Sequence, residues 1–322
     1  MATLTVRSYQ GETDLASIAH FLNTCEKADR FGQYYAIDEL RREFTEPGFN
    51  PTRDMRLWED DQGNLIAFAQ LWIPIETVEP LTDGYLWFRV LPTARGQGLE
   101  TDIIAWGEVR LWEVGRDRNL PALLRTGCRD DQGDRILLFQ NCGFTYERCF
   151  LRMGRSLTEP IPEIELPNGF AIATSQGNQD RQLRVELHNA AFADHWNYHP
   201  WTLEAATHWE QERYQPELDL IAIAPDGTYA AFCTNDIDPE DNAQRGVREG
   251  WVGTLGTHPR FRRRGLARAM LVAGLRALCD RGMELAKLGV DTENPNQAMH
   301  LYESVGFQKI HANLSYAKAI ER

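Results

Sequence analysis

Apolar positions recur along this chain with a period that changes from element to element, and the same order of changes is met twice. Near the start a short strand, read over residues 1–7, passes through Ser8-Tyr9-Gln10-Gly11 into a segment where Leu15, Ile18, Ala19 and Leu22 are three or four apart. That spacing predicts an amphipathic helix over Glu12–Glu26. Two apolar-rich runs, Met55–Glu59 and Leu65–Trp72, flank Asp60-Asp61-Gln62-Gly63-Asn64 and predict a hairpin with an Asp/Gly turn. A strand over Tyr85–Leu91 then leads through Pro92 and Arg95-Gly96-Gln97-Gly98 into a long helix over Leu99–Gly115. The segment closes on Leu138-Phe139-Gln140-Asn141-Cys142-Gly143-Phe144.

The second half runs through the same elements. Ile172–Gly177 precedes a helix at about Gln179–Phe192, and Leu218–Ala224 and Tyr229–Asp236 flank the turn Pro225-Asp226-Gly227. Trp251–Thr257 leads through Pro259 and Arg262-Arg263-Arg264-Gly265-Leu266-Ala267 into a helix over Leu266–Arg281. A further strand at Ala286–Asp291 precedes Leu301-Tyr302-Glu303-Ser304-Val305-Gly306-Phe307, the counterpart of Leu138–Phe144. Between the copies, residues 158–167 carry three prolines and three acids and read as an extended linker. The expected organisation is an N-terminal domain over 1–157, a linker over 158–168 and a C-terminal domain over 169–322. A length of 322 residues gives each copy enough chain for its own core.

Composition narrows the partners. With 43% hydrophobic and 25% charged residues the chain is globular, not disordered. A formal charge of −13 repels phosphate backbones, so no nucleic acid is expected as partner. The only lysines are Lys27, Lys287, Lys309 and Lys318, no polybasic run adjoins an apolar anchor, and no stretch approaches about 18 apolar residues. No membrane partner and a cytoplasmic location are therefore expected. Cys25, Cys128, Cys142, Cys149, Cys233 and Cys279 show no C-x-x-C spacing and read as reduced thiols. His195, His199 and His208 cluster with Trp196, Trp201 and Trp209, but Pro200 interrupts any helical H-x-x-x-H pair, so no metal is expected. That cluster reads as an aromatic acceptor pocket or as ordinary packing.

The most informative loop lies between a strand and a helix at Arg260–Ala267. Gly265 and Ala267 fall where a first helical turn leaves N–H groups unpaired, and Arg260, Arg262, Arg263 and Arg264 add positive charge. Such a loop suits a pyrophosphate, with a solvated charge cluster as the alternative. Neither a Walker A loop nor a Rossmann glycine fingerprint is present.

The strand Trp251–Thr257, His258-Pro259, R-x-x-G-x-A at 262–267, the following helix and strand, Asn294, and Leu301-Tyr302 before Gly306-Phe307 together resemble the acyl-CoA-binding half of the GCN5-related N-acetyltransferase (GNAT) family. The match is strongest over about 247–310, and the repeat extends it to a tandem chain. Asp291–Ala298 with Leu301-Tyr302-Glu303 is similar to the active half of mycothiol synthase and its two-unit relatives. The resemblance implies an α/β fold of two acyl-CoA N-acyltransferase units, each a mixed, mostly antiparallel sheet flanked by helices. It implies acetyl-CoA as acyl-donor substrate, its pantetheine arm pairing with the backbone of Leu255, Gly256 and Thr257. Loop amides from Arg262 or Arg263 through Arg264, Gly265, Leu266 and Ala267 to Arg268 would hold the pyrophosphate, and Asn294 would reach the pantetheine. Tyr302 would protonate the departing CoA thiolate, a role open to a phenol with an ordinary pKa of about 10. A backbone N–H near Leu255 or Thr257 would stabilise the oxyanion.

An amine must lose a proton before it attacks a thioester, and Glu249, just before the central strand, is the expected base. Asp291, Glu293 and Asp236 are alternatives. In the first copy Phe139 stands where Tyr302 stands and Glu100 where Ala267 stands, so that copy reads as degenerate, a scaffold or substrate wall. The expected activity is direct acetyl transfer by the C-terminal domain to a primary amine of a small molecule. A non-catalytic acyl-CoA-binding or regulatory protein, or an acetyltransferase acting on a peptide or protein amine, are the alternatives. A monomer or a homodimer is expected.

Overall fold

The computed structural model describes residues 4–75, 79–210, 214–294 and 296–321. Residues 1–3 of the expected first strand and Pro295 of the run before Leu301 lie outside the described residues. In chain order the elements of the first half are β1 (Thr5–Arg7), α1 (Glu12–Asp29), α2 (Ile37–Phe44), α3 (Pro51–Asp54), β2 (Met55–Glu59), β3 (Leu65–Trp72), β4 (Thr82–Val90), α4 (Leu99–Arg118), β5 (Ala122–Arg129), α5 (Gly133–Asn141) and β6 (Thr145–Ser156). The second half holds β7 (Ala171–Thr174), α6 (Arg181–Phe192), α7 (Leu203–Trp209), β8 (Asp219–Ile223), β9 (Tyr229–Asp236), α8 (Pro239–Arg245), β10 (Glu249–Thr257), α9 (Leu266–Asp280), β11 (Leu285–Asp291), α10 (Ala298–Glu303) and β12 (Gln308–Ile320). Among the described residues no helix is long and apolar enough to cross a membrane.

The chain forms two compact units, one up to Glu147 together with the residues from Leu314 on, the other Arg148–Asn313. These limits differ from the repeat limits of 1–157 and 169–322 because β6 and β12 do not stay with their own copy. In unit 1 the strand order is β1-β2-β3-β4-β5, with the last segment of β12 beside β5. In unit 2 it is β7-β8-β9-β10-β11, with β6 beside β11. Residues 158–167 have no regular structure, and Ile161, Ile164 and Leu166 pack on the unit 2 core.

Alternation along the central strands explains the layering. In unit 1, Phe68 of β3 joins Leu15, Ile18, Leu22 and Phe44 on one face of the sheet. Its neighbours Ala67, Ala69 and Leu71 join Ile103, Ile104 and Leu111 of α4 on the other. A period of two thus feeds two cores, which is why β3 is apolar at nearly every position. Unit 2 is built the same way: Phe232 of β9 meets Leu187 and Ala191 of α6. Ala231 and Cys233 face the cluster that holds Met270, Leu271 and Leu275 of α9.

Candidate active site

The site in unit 2 follows from how two parallel strands part. β10 and β11 pair only at Glu249↔Leu285, Gly250↔Ala286 and Trp251↔Lys287. Beyond that point β10 stays with β9 as far as Thr257, and β11 stays with β6 as far as Asp291. A cavity of about 720 Å³ lies between them, walled by Val252–Thr257, Gly289–Asp291 and Phe150–Arg152. The register between β10 and β9 shifts between Val252 and Thr254, so Gly253 is a bulge residue. The edge of β10 released from β11 carries backbone N–H and C=O groups that need partners, which suits an extended amide-bearing ligand and a developing oxyanion.

One end of the cavity is the loop before α9. Arg263 (φ 60°) and Gly265 (φ 84°) both take left-handed backbone conformations, which turns successive N–H groups toward one point. α9 has no side-chain cap, so its first-turn N–H groups stay open to an anion. Arg262, Arg263, Gly265, Leu266, Ala267 and Arg268 line the cavity, as do Leu255, Gly256, Thr257, Asn294 and Tyr302. Arg264 is not in the lining; its guanidinium lies over the Phe261 ring at 5.6 Å. The Arg262 guanidinium is also committed elsewhere. It donates to the Asp194 carboxylate at 2.5 and 3.0 Å, to the Ala191 carbonyl at 2.9 Å and to the Thr257 carbonyl at 3.3 Å. Its side chain therefore ties the end of α6 to the end of β10, leaving backbone to serve an anion.

Tyr302, on α10, is 8% exposed and packs edge-on against Phe307 with ring centroids 6.0 Å apart. Burial pushes its phenol above the ordinary tyrosine value, so it stays protonated throughout the physiological range. Glu249 is placed differently from the expectation of a base in the cavity. It stands at the paired end of β10, outside the lining, and accepts from Arg245 at 2.8 Å and Lys287 at 2.5 Å. Burial would raise its pKa, but these two cations outweigh it and leave the carboxyl below its usual value. Asp291 does line the cavity, its carboxylate held by Arg148 Nε at 2.9 and 3.0 Å. Glu293 and Asp236 are exposed and outside the lining.

A second cavity of about 230 Å³ shares Thr254 with the first. Trp201, Trp209, Tyr214 and Phe232 wall it, with Asp219 and Glu210 held by Arg184 at 2.8 and 2.6 Å. His188 also lines it, stacked on Phe192 at 4.7 Å and 18°. Its Nδ1 is buried with no hydrogen-bond partner among the described residues. Burial lowers the imidazole pKa from 6.5, so the ring is neutral at physiological pH. Trp201 and Trp209 of the expected His/Trp cluster thus belong to this wall, while His195 lines the larger cavity and His199, His208 and Trp196 line neither. His188 was missed because it reads as one more position on the inward face of α6. The signal for it was a polar ring beside buried Val185, Leu187 and Ala191.

Unit 1 carries the same architecture with other side chains at these places. β4 and β5 pair in parallel only from Thr82↔Ala122 to Tyr85↔Arg125, but β4 runs against β3 without a register shift from Tyr85 to Val90. Arg135 lies over the Phe88 ring at 4.3 Å and the Phe139 ring at 5.3 Å and donates to the Phe88 carbonyl at 3.5 Å. By the repeat, Arg135 stands where unit 2 has Ala298. In the loop, the Glu100 carboxylate accepts from the Gly96 N–H at 3.0 Å, occupying an amide that an anion would need.

Residues 186–307 match the model of the Acetyltransferase (GNAT) family. The chain is 33% identical over 235 residues to a mycothiol acetyltransferase of Thermobispora bispora, covering 71% of this chain and 74% of that protein. It is 30% identical over 270 residues to a mycothiol acetyltransferase of Acidothermus cellulolyticus, covering 79% and 76%. Among solved structures, a GCN5-related N-acetyltransferase from Sphaerobacter thermophilus matches 99% of this chain and 96% of its own, with a TM-score of 0.74 and 24% identity. A tandem GNAT protein from the clavulanic acid biosynthesis pathway matches 99% of each chain with a TM-score of 0.74 and 13% identity. These two structural likenesses speak for the fold.

Proposed function

The chain belongs to the GNAT acetyltransferase family, and from that premise we propose that unit 2 moves the acetyl group of acetyl-CoA directly onto a primary amine of a small molecule. The observation that carries this reading is the open cleft between β10 and β11, with an uncapped anion loop at one end and a buried, protonated phenol in its wall. In this reading the pyrophosphate rests on the amides from Arg263 to Arg268, and the pantetheine runs along Leu255–Thr257 past Asn294. The acceptor enters the smaller cavity, and the two ligands meet at Thr254, which lines both.

His188 replaces Glu249 as the base. A neutral imidazole with a free buried nitrogen accepts the ammonium proton; the amine nitrogen then attacks the thioester carbon. The carbonyl oxygen takes up the charge of the tetrahedral intermediate and receives a hydrogen bond from the released edge of β10 near the Gly253 bulge. Collapse breaks the carbon–sulfur bond as Tyr302 delivers its proton to the sulfur; the nitrogen gives up its second proton, through solvent, to the Tyr302 phenolate to leave the neutral amide, and His188 releases the first proton to solvent. A cavity of about 230 Å³ with aromatic walls favours a compact amine over a protein side chain. The relatives named for mycothiol support acetyl transfer to a small amine-bearing compound.

The test is release of CoA thiol with a panel of amino sugars, polyamines and amino acid amides. Tyr302→Phe is expected to lower kcat about 100-fold while the acetyl-CoA KM changes little. Unchanged turnover in that variant would remove Tyr302 from the mechanism, and no thiol release with any acceptor would favour a binding protein.

A further inference from the structure

Unit 1 holds a cavity of its own. A space of about 270 Å³ remains beside β3 and β4, walled by Tyr35, Trp72, Tyr85 and Trp87, with Glu43 and Gln70 also in the lining. Its place in the repeat is that of the smaller cavity of unit 2. The clip that frames each is the same: the Asn23 side chain exchanges two hydrogen bonds with the Tyr35 backbone, both at 3.0 Å. Asn189 does so with Trp201, both at 2.9 Å and over the same separation of 12 residues. By that register Leu22 stands where His188 stands, so the cavity of unit 1 has no counterpart of His188, and unit 1 has Phe139 in place of Tyr302. What it keeps is binding surface.

We propose that this cavity of unit 1 binds a small organic ammonium ion, held by the Glu43 carboxylate among the faces of Tyr35, Trp72, Tyr85 and Trp87. Glu43 accepts a hydrogen bond from Gln70 Nε2 at 2.6 Å and has no ion pair among the described residues. Burial raises its pKa and nearby Glu46 adds to the rise. A half-buried carboxylate without a cation carries a desolvation cost, and an ammonium entering the space in front of it offsets that cost. Aromatic faces attract the same ligand through their quadrupoles. The neighbouring guanidinium, Arg89, stacks on Trp87 at 4.6 Å and on Phe31 at 5.1 Å and is not in the lining. The site is thus lined by four aromatic residues and one negative side chain.

Fluorine NMR on the full chain labelled with 5-fluorotryptophan reads the site directly, the Trp72 and Trp87 signals being assigned by Trp72→Phe and Trp87→Phe. Choline and n-butylammonium are titrated, with 3,3-dimethylbutan-1-ol as the uncharged isostere of choline and sodium chloride as ionic control. Both signals are expected to move saturably with at least one ammonium, and the uncharged isostere to bind about tenfold more weakly or worse. Glu43→Gln is expected to weaken the ammonium by a similar factor while leaving acetyl transfer unchanged. If neither ammonium moves the two signals beyond the salt control, or the isostere binds as well as choline, the proposal is overturned. The isostere comparison uses the wild-type chain and decides even where Glu43→Gln does not fold. Failure of acetyl transfer would leave this result standing, since no step of the reaction enters it.

Discussion

Tyr302 and Phe139 occupy one place in the repeat and differ by a single oxygen, which is the difference between a proton donor and a wall. That contrast was legible from residue identities alone, as was Glu100 opposite Ala267, and the structure supplies its physical form in the Glu100 carboxylate on the Gly96 N–H. The role of Arg262 was not legible. Its partner Asp194 is 68 residues away, and no spacing rule connects a loop guanidinium to the end of a distant helix. The pairing of Glu249 was not legible for the same reason: Lys287, which donates to its carboxylate, comes from another strand. His188 yields a prediction at this scale. The neutral ring is the active form and burial lowers its pKa, so kcat/KM is expected to stay level from neutral pH to below 6.5 and to fall only as the ring protonates. His188→Gln should abolish that acid limb and cost about 100-fold or more in rate, seen in the pH profile of thiol release. A profile unchanged in shape would assign the limb to another group.

Among the elements, the hairpin strands Met55–Glu59 and Leu65–Trp72 fall where their alternation placed them, and α9 begins on Leu266 as the loop pattern predicts. α2 and α7 went unread because eight and seven residues give too few turns for a period to emerge. Tight packing between elements is invisible to periodicity as well. Gly274 sits on the buried face of α9, where an added Cβ would lie 2.7 Å from both Asn235 Oδ1 and Cys233 Sγ. Asn235 cannot give way freely, since its amide donates to the Leu218 carbonyl at 2.9 Å. Gly274→Ala is therefore expected to destabilise by about 1–3 kcal/mol from overpacking, less up to about 1 kcal/mol of helix propensity gained. Denaturant unfolding checks this; a variant as stable as wild type would mean that β9 and α9 are less firmly apposed than described.

For the whole molecule, the twofold repeat was readable because each copy spells out the same order of periods and turns. Its compact units were not, because β6 and β12 look like the last strands of their own copies and only pairing shows otherwise. The charge of −13 was read as excluding phosphate polymers, and it leaves room for one local exception at the loop before α9. Two copies of a cleft need not mean two active sites. In unit 1 the side chain of Arg135 lies over the Phe88 ring and Glu100 takes a loop amide. In unit 2 both places are open, with Ala298 and Ala267 lining the cavity. The central claim, that acyl-CoA chemistry resides in unit 2 alone, is tested most directly by calorimetric titration of the full chain with acetyl-CoA. One molecule bound per chain is expected, with binding weakened about 100-fold or more by Ala267→Glu, which puts a carboxylate at the loop as Glu100 does in unit 1. Two molecules per chain, or one that Ala267→Glu leaves undisturbed, would contradict it.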